Sequence, residues 1–222
     1  MSPQSNERVP EPAQGERATG HGGSGMSENM GEKGCLPIRA FPSREAWAAW
    51  LEEHYPDSQG VWLAVPKKGG GEAGVSYADA LEVALCYGWV DSQKGKLNER
   101  FWLQRFTPRR PGSIWSRVNR DKALVLIARG EMQPAGLREV ERARADGRWD
   151  AAYEPSSTME VPDDLRAALV GNPAADEFFA TLDRTNRYAI LHRIHTAKKP
   201  ETRAGRIVSF VAMLADGKKL YP

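Results

Sequence analysis

The sequence predicts an α+β fold: a small, mostly antiparallel sheet packed by helices, with a helical C-terminal third. Three observations carry this. Short apolar runs bounded by turn residues occupy the middle of the chain (Val61–Val65, Trp89–Lys94, Phe101–Phe106). Between and after them, apolar residues recur at helical spacing. From residue 162 onward proline starters and glycine stops delimit helices only. Sheet and helices segregated along the chain in this way make an α+β layering.

Each element follows from local chemistry. Residues 1–34 are rich in Gly, Ser, Pro and Glu and carry almost nothing large and apolar, so a disordered tail is expected there, with Met26 or Met30 as alternative starts. Ordered sequence is expected from about Phe41, in one domain spanning 35–222. Ser43 is placed to cap a helix through Trp47, Trp50, Leu51 and His54. Val61–Val65 reads as a strand closed by Pro66 and the link Gly69–Gly71. Ser76 and Asp79 form a capping box before a helix that puts Tyr77, Ala80, Leu81, Ala84 and Leu85 on one face and ends at Gly88. Trp89–Lys94 and Phe101–Phe106 are predicted to form a hairpin. Helices follow at 118–129, 134–145, 162–170, 173–182, 184–197 and 200–215, with a loop at 151–160.

Composition narrows the function classes. Of 222 residues, 41% are hydrophobic and 27% charged, a globular balance. Seven tryptophans, at 47, 50, 62, 89, 102, 115 and 149, are expected to anchor one core. Two cysteines, Cys35 and Cys86, make neither a disulfide framework nor a four-ligand metal site. The N-terminus lacks the apolar stretch of an export signal and no apolar run approaches membrane-spanning length, so a cytoplasmic protein without membrane insertion is expected. No phosphate loop, dinucleotide fingerprint, nucleophile elbow or zincin helix is present, and no cofactor is expected.

Several segments match the motifs of a known family. Ala84-Leu85-Cys86-Tyr87-Gly88-Trp89-Val90-Asp91 resembles its ALCYGWID segment. Arg105-Phe106-Thr107-Pro108-Arg109, then Ser113-Ile114-Trp115-Ser116-Arg117-Val118-Asn119, resemble its RFTPR…SxWSxxN signature. Gly147-Arg148-Trp149 follows, and Ala197-Lys198-Lys199-Pro200-Glu201-Thr202-Arg203 is similar to its AKKPETR element. The chain thus resembles the YdeI/OmpD-associated, or bacteriocin-protection (OmdA), family from about Phe41 to Tyr221. The resemblance implies a compact α+β architecture of the YjbR/CyaY-like superfamily, a link to bacteriocin and antimicrobial-stress protection, and no assigned activity.

Charge is segregated although the net is only +2. Between Trp89 and Arg120 eight basic residues face two acidic ones, and from Arg193 onward seven face two. Such segregation focuses potential for an anionic ligand. The expected anion- or partner-binding surface comprises Arg105, Arg109, Arg110, Ser113, Trp115, Ser116, Asn119, Lys198, Lys199 and Arg203, with guanidinium forks in a proline-flanked turn and hydroxyls at a helix start. Its occupant is expected to be an anionic small molecule or an acidic protein; nucleic acid is the remaining alternative, and solvated ion-paired faces the bland one. The leading expectation is a non-enzymatic binding or accessory protein. The rival is a small enzyme centred on Asp91, Tyr87 and Cys86, supplying a base and a thiol. His192 and His195 lie three apart on a helix, but no further ligand completes a metal set. One decisive question is whether Asp91 opens into a cleft or is spent in an ion pair.

Overall fold

In the computed structural model, residues 27–69 and 71–222 are described. Five strands and eight helices alternate as β1 (Glu28–Lys33), β2 (Leu36–Ala40), α1 (Arg44–His54), β3 (Val61–Pro66), α2 (Tyr77–Cys86), β4 (Trp89–Lys96), β5 (Phe101–Pro108), α3 (Arg117–Ala128), α4 (Pro134–Ala145), α5 (Asp163–Val170), α6 (Pro173–Thr181), α7 (Arg184–His195) and α8 (Pro200–Ala215). The strands form one sheet in the order β1-β2-β3-β5-β4, antiparallel except for the β2–β3 pair. α1 is the crossover that this parallel pair requires. The fold is α+β with a helical C-terminal part, as the sequence predicts.

The caps are the local cause of the helix starts. Ser43, Ser76 and Ser116 each accept a hydrogen bond from the backbone N–H three residues on, at 3.3, 3.2 and 3.1 Å. Gly88 ends α2 with φ +74°, a conformation that a side chain disfavours, and turns the chain straight into β4.

Two expectations need correction. Glu28–Lys33 is a strand rather than part of a disordered tail. It pairs with β2, its Lys33 carbonyl accepts from Trp62 Nε1 at 3.0 Å, and Met30 packs on the sheet. Polar composition hid it, because a strand at a sheet edge needs few apolar residues when its ladder partner supplies the hydrogen bonds. The rest of the expected tail, residues 1–26, lies outside the described residues.

The core is also divided. Five tryptophans (47, 50, 89, 115, 149) belong to one cluster between the sheet and helices α1 to α4, and Trp102 packs against it. Trp62 lies on the opposite sheet face with Leu36, Ile38, Phe101 and Leu103. Helices α5 to α8 enclose a cluster of their own, including Leu165, Phe179, Ile190, Phe210 and Leu214. The chain thus packs as a sheet unit and a C-terminal helical unit, joined through the loop around Tyr153.

Candidate functional site

The Asp91 position follows from strand register. Asp91 is paired with Phe106, whose ring belongs to the core between sheet and helices, so the carboxylate points to the helix side. Beyond it the ladder slips: Lys94 pairs with Gln104, leaving two residues of β4 opposite Arg105. In a regular strand residues three apart face opposite ways. This bulge restores Lys94 to the face of Asp91, and its ammonium lies 5.6 Å from the Tyr77 ring centroid and 5.2 Å from that of Trp102. Buried Gln104 donates to the Gln93 carbonyl at 3.2 Å within the slip, which holds the distortion in place.

Asp91 opens into a cleft of about 700 Å³ bounded by β4, α2, α3, the loop around Tyr153 and α7. Tyr77 Oη donates to Asp91 Oδ2 at 2.8 Å, and Asn119 Nδ2 donates to Oδ1 at 3.3 Å. Among the described residues Asp91 has no ion-pair partner. Asn119 is buried, and its backbone N–H is the one capped by Ser116, so the start of α3 fixes both. Tyr153 and Tyr188 line the same cleft. Burial, then the Asp91 charge, pushes the Tyr77 hydroxyl far above the ordinary tyrosine value. Tyr153 rises for the same two reasons, and Tyr188 through burial and then Tyr153. All three therefore remain hydroxyl donors at neutral pH. His192 stands edge-on to the Tyr153 ring with centroids 4.6 Å apart, and burial lowers its basicity.

The expected anion surface does not assemble as one patch. Arg105 pairs with Trp62 in register and so belongs to the opposite sheet face from Asp91. Arg109 is 6% exposed, with its guanidinium 3.5 Å from the Trp115 ring centroid and Nη1 donating to the Ile114 carbonyl at 3.2 Å. Burial pushes this guanidinium down to about 10, so it remains a cation at neutral pH. Trp115 is a core residue against Trp149 rather than a contact surface, with ring centroids 4.9 Å apart. Ser113 is occupied twice: its hydroxyl accepts from Arg110 N–H at 2.9 Å, and its carbonyl accepts from Arg148 Nη1 at 2.6 Å. Arg110 is exposed beside it. Arg203 is held inside the helical unit by Asp164 and the Ile194 carbonyl, and Lys199 is the exposed residue before α8. Only Ser116 and Asn119 of that set reach the Asp91 cleft. Lys198 lines a separate small chamber next to it.

Nor do Asp91, Tyr87 and Cys86 converge. Tyr87 lies with Tyr55, Arg109 and Glu139 in another depression. Cys86 is buried at the end of α2, where burial pushes its thiol up to about 11. The partner of Asp91 is Tyr77, nine residues before Cys86, which helical spacing marks only as a core-facing position. Tyr153 and Tyr188 carry no local signal at all. Gly147-Arg148-Trp149 did carry one, since it stands among the family motifs. No group of three or more His, Cys, Asp or Glu able to hold a metal occurs among the described residues, nor is any helix there long and apolar enough to cross a membrane.

Fold and cleft define an α+β sheet domain carrying a C-terminal helical unit, with a tyrosine-rich pocket where the two meet. Residues 158–217 match the model of the bacteriocin-protection, YdeI or OmpD-associated family, which supports that family for this chain. Residues 39–139 match a separate model, a domain of unknown function, DUF8412. The two matched segments coincide with the two buried cores. Asp91, Tyr77 and Asn119 fall in the first segment and Tyr188, His192 and Lys198 in the second. Neither the curated proteins nor the solved structures returned a match.

Proposed function

We propose that this YdeI/OmpD-associated protein binds a small polar molecule in the Asp91 cleft, in an accessory role. The carrying observation is an Asp91 carboxylate that faces a cleft of about 700 Å³, held by two neutral donors and by no cation among the described residues. A carboxylate kept for structure alone would be expected to sit in an ion pair. One so placed offers its remaining lone pairs to a ligand amine or hydroxyl. Lys94, with no ion pair among the described residues, then faces any anionic group of the same ligand, and the rings of Tyr77, Tyr153 and Tyr188 supply apolar area. What remains of the expected anion-binding role is thus carried by Lys94 rather than by the arginine turn.

The matched family's name supports placing this role in bacteriocin or antimicrobial-stress protection, and a cytoplasmic location belongs to the same reading. The compact sheet-and-helix architecture is what supports a YjbR/CyaY-like grouping. A nucleophilic enzyme finds no support in the cleft, because Cys86 is not in its lining and its thiol is protonated at neutral pH.

The test is native mass spectrometry of the full chain purified from its own host. The wild type and Arg105→Ala, altered on the other sheet face, should carry the same small-molecule adduct, and Asp91→Asn should lose it. An adduct retained in full by Asp91→Asn, or none on the wild type, would overturn the reading.

A further inference from the structure

Next to the cleft lies a smaller chamber of about 160 Å³ at the junction of the sheet unit and the helical unit. Its apolar walls are Ile114, Ala151 and Ala197 with the Tyr153 ring, and its charged end is formed by Arg148 and Lys198 beside His195. We propose that this chamber is a binding site for a small monocarboxylate with a compact apolar body, of the size of benzoate.

Three features carry this. The first is Arg148, which is only 8% exposed. Its Nε is taken by Asp146 and its Nη1 by the Ser113 carbonyl, yet Nη2 has no hydrogen-bond partner among the described residues. A buried guanidinium N–H left without an acceptor is costly, and a ligand oxygen there would satisfy it. The second is the charge count. Arg148 and Lys198 both act on one carboxylate, Asp146, which Arg148 and then Lys198 hold below the usual carboxylate range. Behind them Arg109, also buried, is further disfavoured by the Arg148 charge. Glu139 and Asp91 act on Arg109, but neither lines the chamber. The chamber therefore presents more positive than negative charge, and an anion fits.

The third is size and lining. A cavity of about 150 Å³ accommodates a benzene-sized molecule. Walls of Ile, Ala and a Tyr ring favour an apolar body over a phosphate, which would need donors on every side. A carboxylate matches the planar fork of an arginine. The chamber shares Ile114 and Tyr153 with the cleft, but the proposal does not depend on what the cleft binds.

Benzoate and its neutral isostere benzamide are the probes, titrated into the full chain by calorimetry and followed by amide NMR. Benzoate should bind at millimolar concentration or below, with shifts centred on Arg148, Ala151 and Ala197. Benzamide should bind about tenfold or more weakly, since a hydrogen bond to a charged group contributes about 1.5–3 kcal/mol. Arg148→Met should weaken benzoate by a similar factor. Because Arg148 also holds Ser113, that variant can fail to fold. Ala197→Leu fills the chamber while leaving every charge in place, and it should abolish binding in a folded protein. No benzoate binding by the wild type, equal binding of benzamide, or unchanged binding by Ala197→Leu would each overturn the proposal.

Discussion

The same substitution, glycine to alanine, should act in opposite directions at two helical positions. Gly136 lies in the second turn of α4, where that helix crosses the end of α2. A Cβ there would stand 2.3 Å from the Cys86 carbonyl oxygen, 2.8 Å from that of Leu85 and 2.8 Å from Met132 Cε. The methionine tip can move, but the carbonyls are backbone, and that of Cys86 is held by the Gln133 N–H at 3.2 Å. Alanine gains about 1 kcal/mol over glycine from helix propensity. Overpacking against fixed backbone costs about 1–3 kcal/mol or more, and contacts this short belong at the upper end. The net is a loss of about 1–2 kcal/mol, or roughly 2–8 °C in Tm for a chain of this length. Gly205, within α8, has nothing within 4 Å of its would-be Cβ. There only the propensity gain of about 0.5–1 kcal/mol operates, raising Tm by about 1–4 °C. Scanning calorimetry on the two single variants decides the matter. If Gly136→Ala raised Tm, the close approach of α2 and α4 would not be rigid. If Gly205→Ala lowered it by several degrees, the surface of α8 at that point would not be open.

Three further outcomes are expected. Truncating the chain to begin at Cys35 removes β1, with its ladder and the Lys33–Trp62 contacts, and should cost about 1–3 kcal/mol by denaturant titration; an unchanged midpoint would mean that the strand contributes nothing. With a thiol reagent at about pH 8, exposed Cys35 should react at once. Cys86, whose thiol is pushed up to about 11 and is therefore about one-thousandth ionised there, should react only on unfolding; two fast equivalents would contradict its burial. Asp164 is held below the usual carboxylate range by its bonds to Arg203, so its contribution is present above the unfolded carboxylate value and is lost as pH falls through the folded one. The Tm difference between wild type and Asp164→Asn should thus be small at about pH 6, below about 1 kcal/mol because the pair is partly exposed, and should vanish at about pH 2; a difference that grew in acid would reverse the assignment.

Where local chemistry suffices, the sequence determined the protein. Caps at Ser43, Ser76 and Ser116, prolines opening α4, α6 and α8, and Gly88 closing α2 are decided within a few residues, so the helices and the β4–β5 hairpin were legible. What depends on a partner far along the chain was not. β1 is a strand because β2 completes its hydrogen bonds, although its own residues are polar. Arg109, Arg105 and Trp115 look alike as members of a basic, aromatic turn. Pairing with Trp62 puts Arg105 on one sheet face, and stacking on Trp115 buries Arg109, and neither partner is encoded locally. The candidate site shows the same division. Asp91 stood out at the mouth of a strand, but a register slip set by β5 brings Lys94 to its side, and packing of α2 and α3 brings Tyr77 and Asn119. Tyr153, Tyr188 and Arg148 come from a loop and from a second core. Only docking of one unit on the other gathers them, because side chains separated by some 100 residues meet through burial and not through spacing.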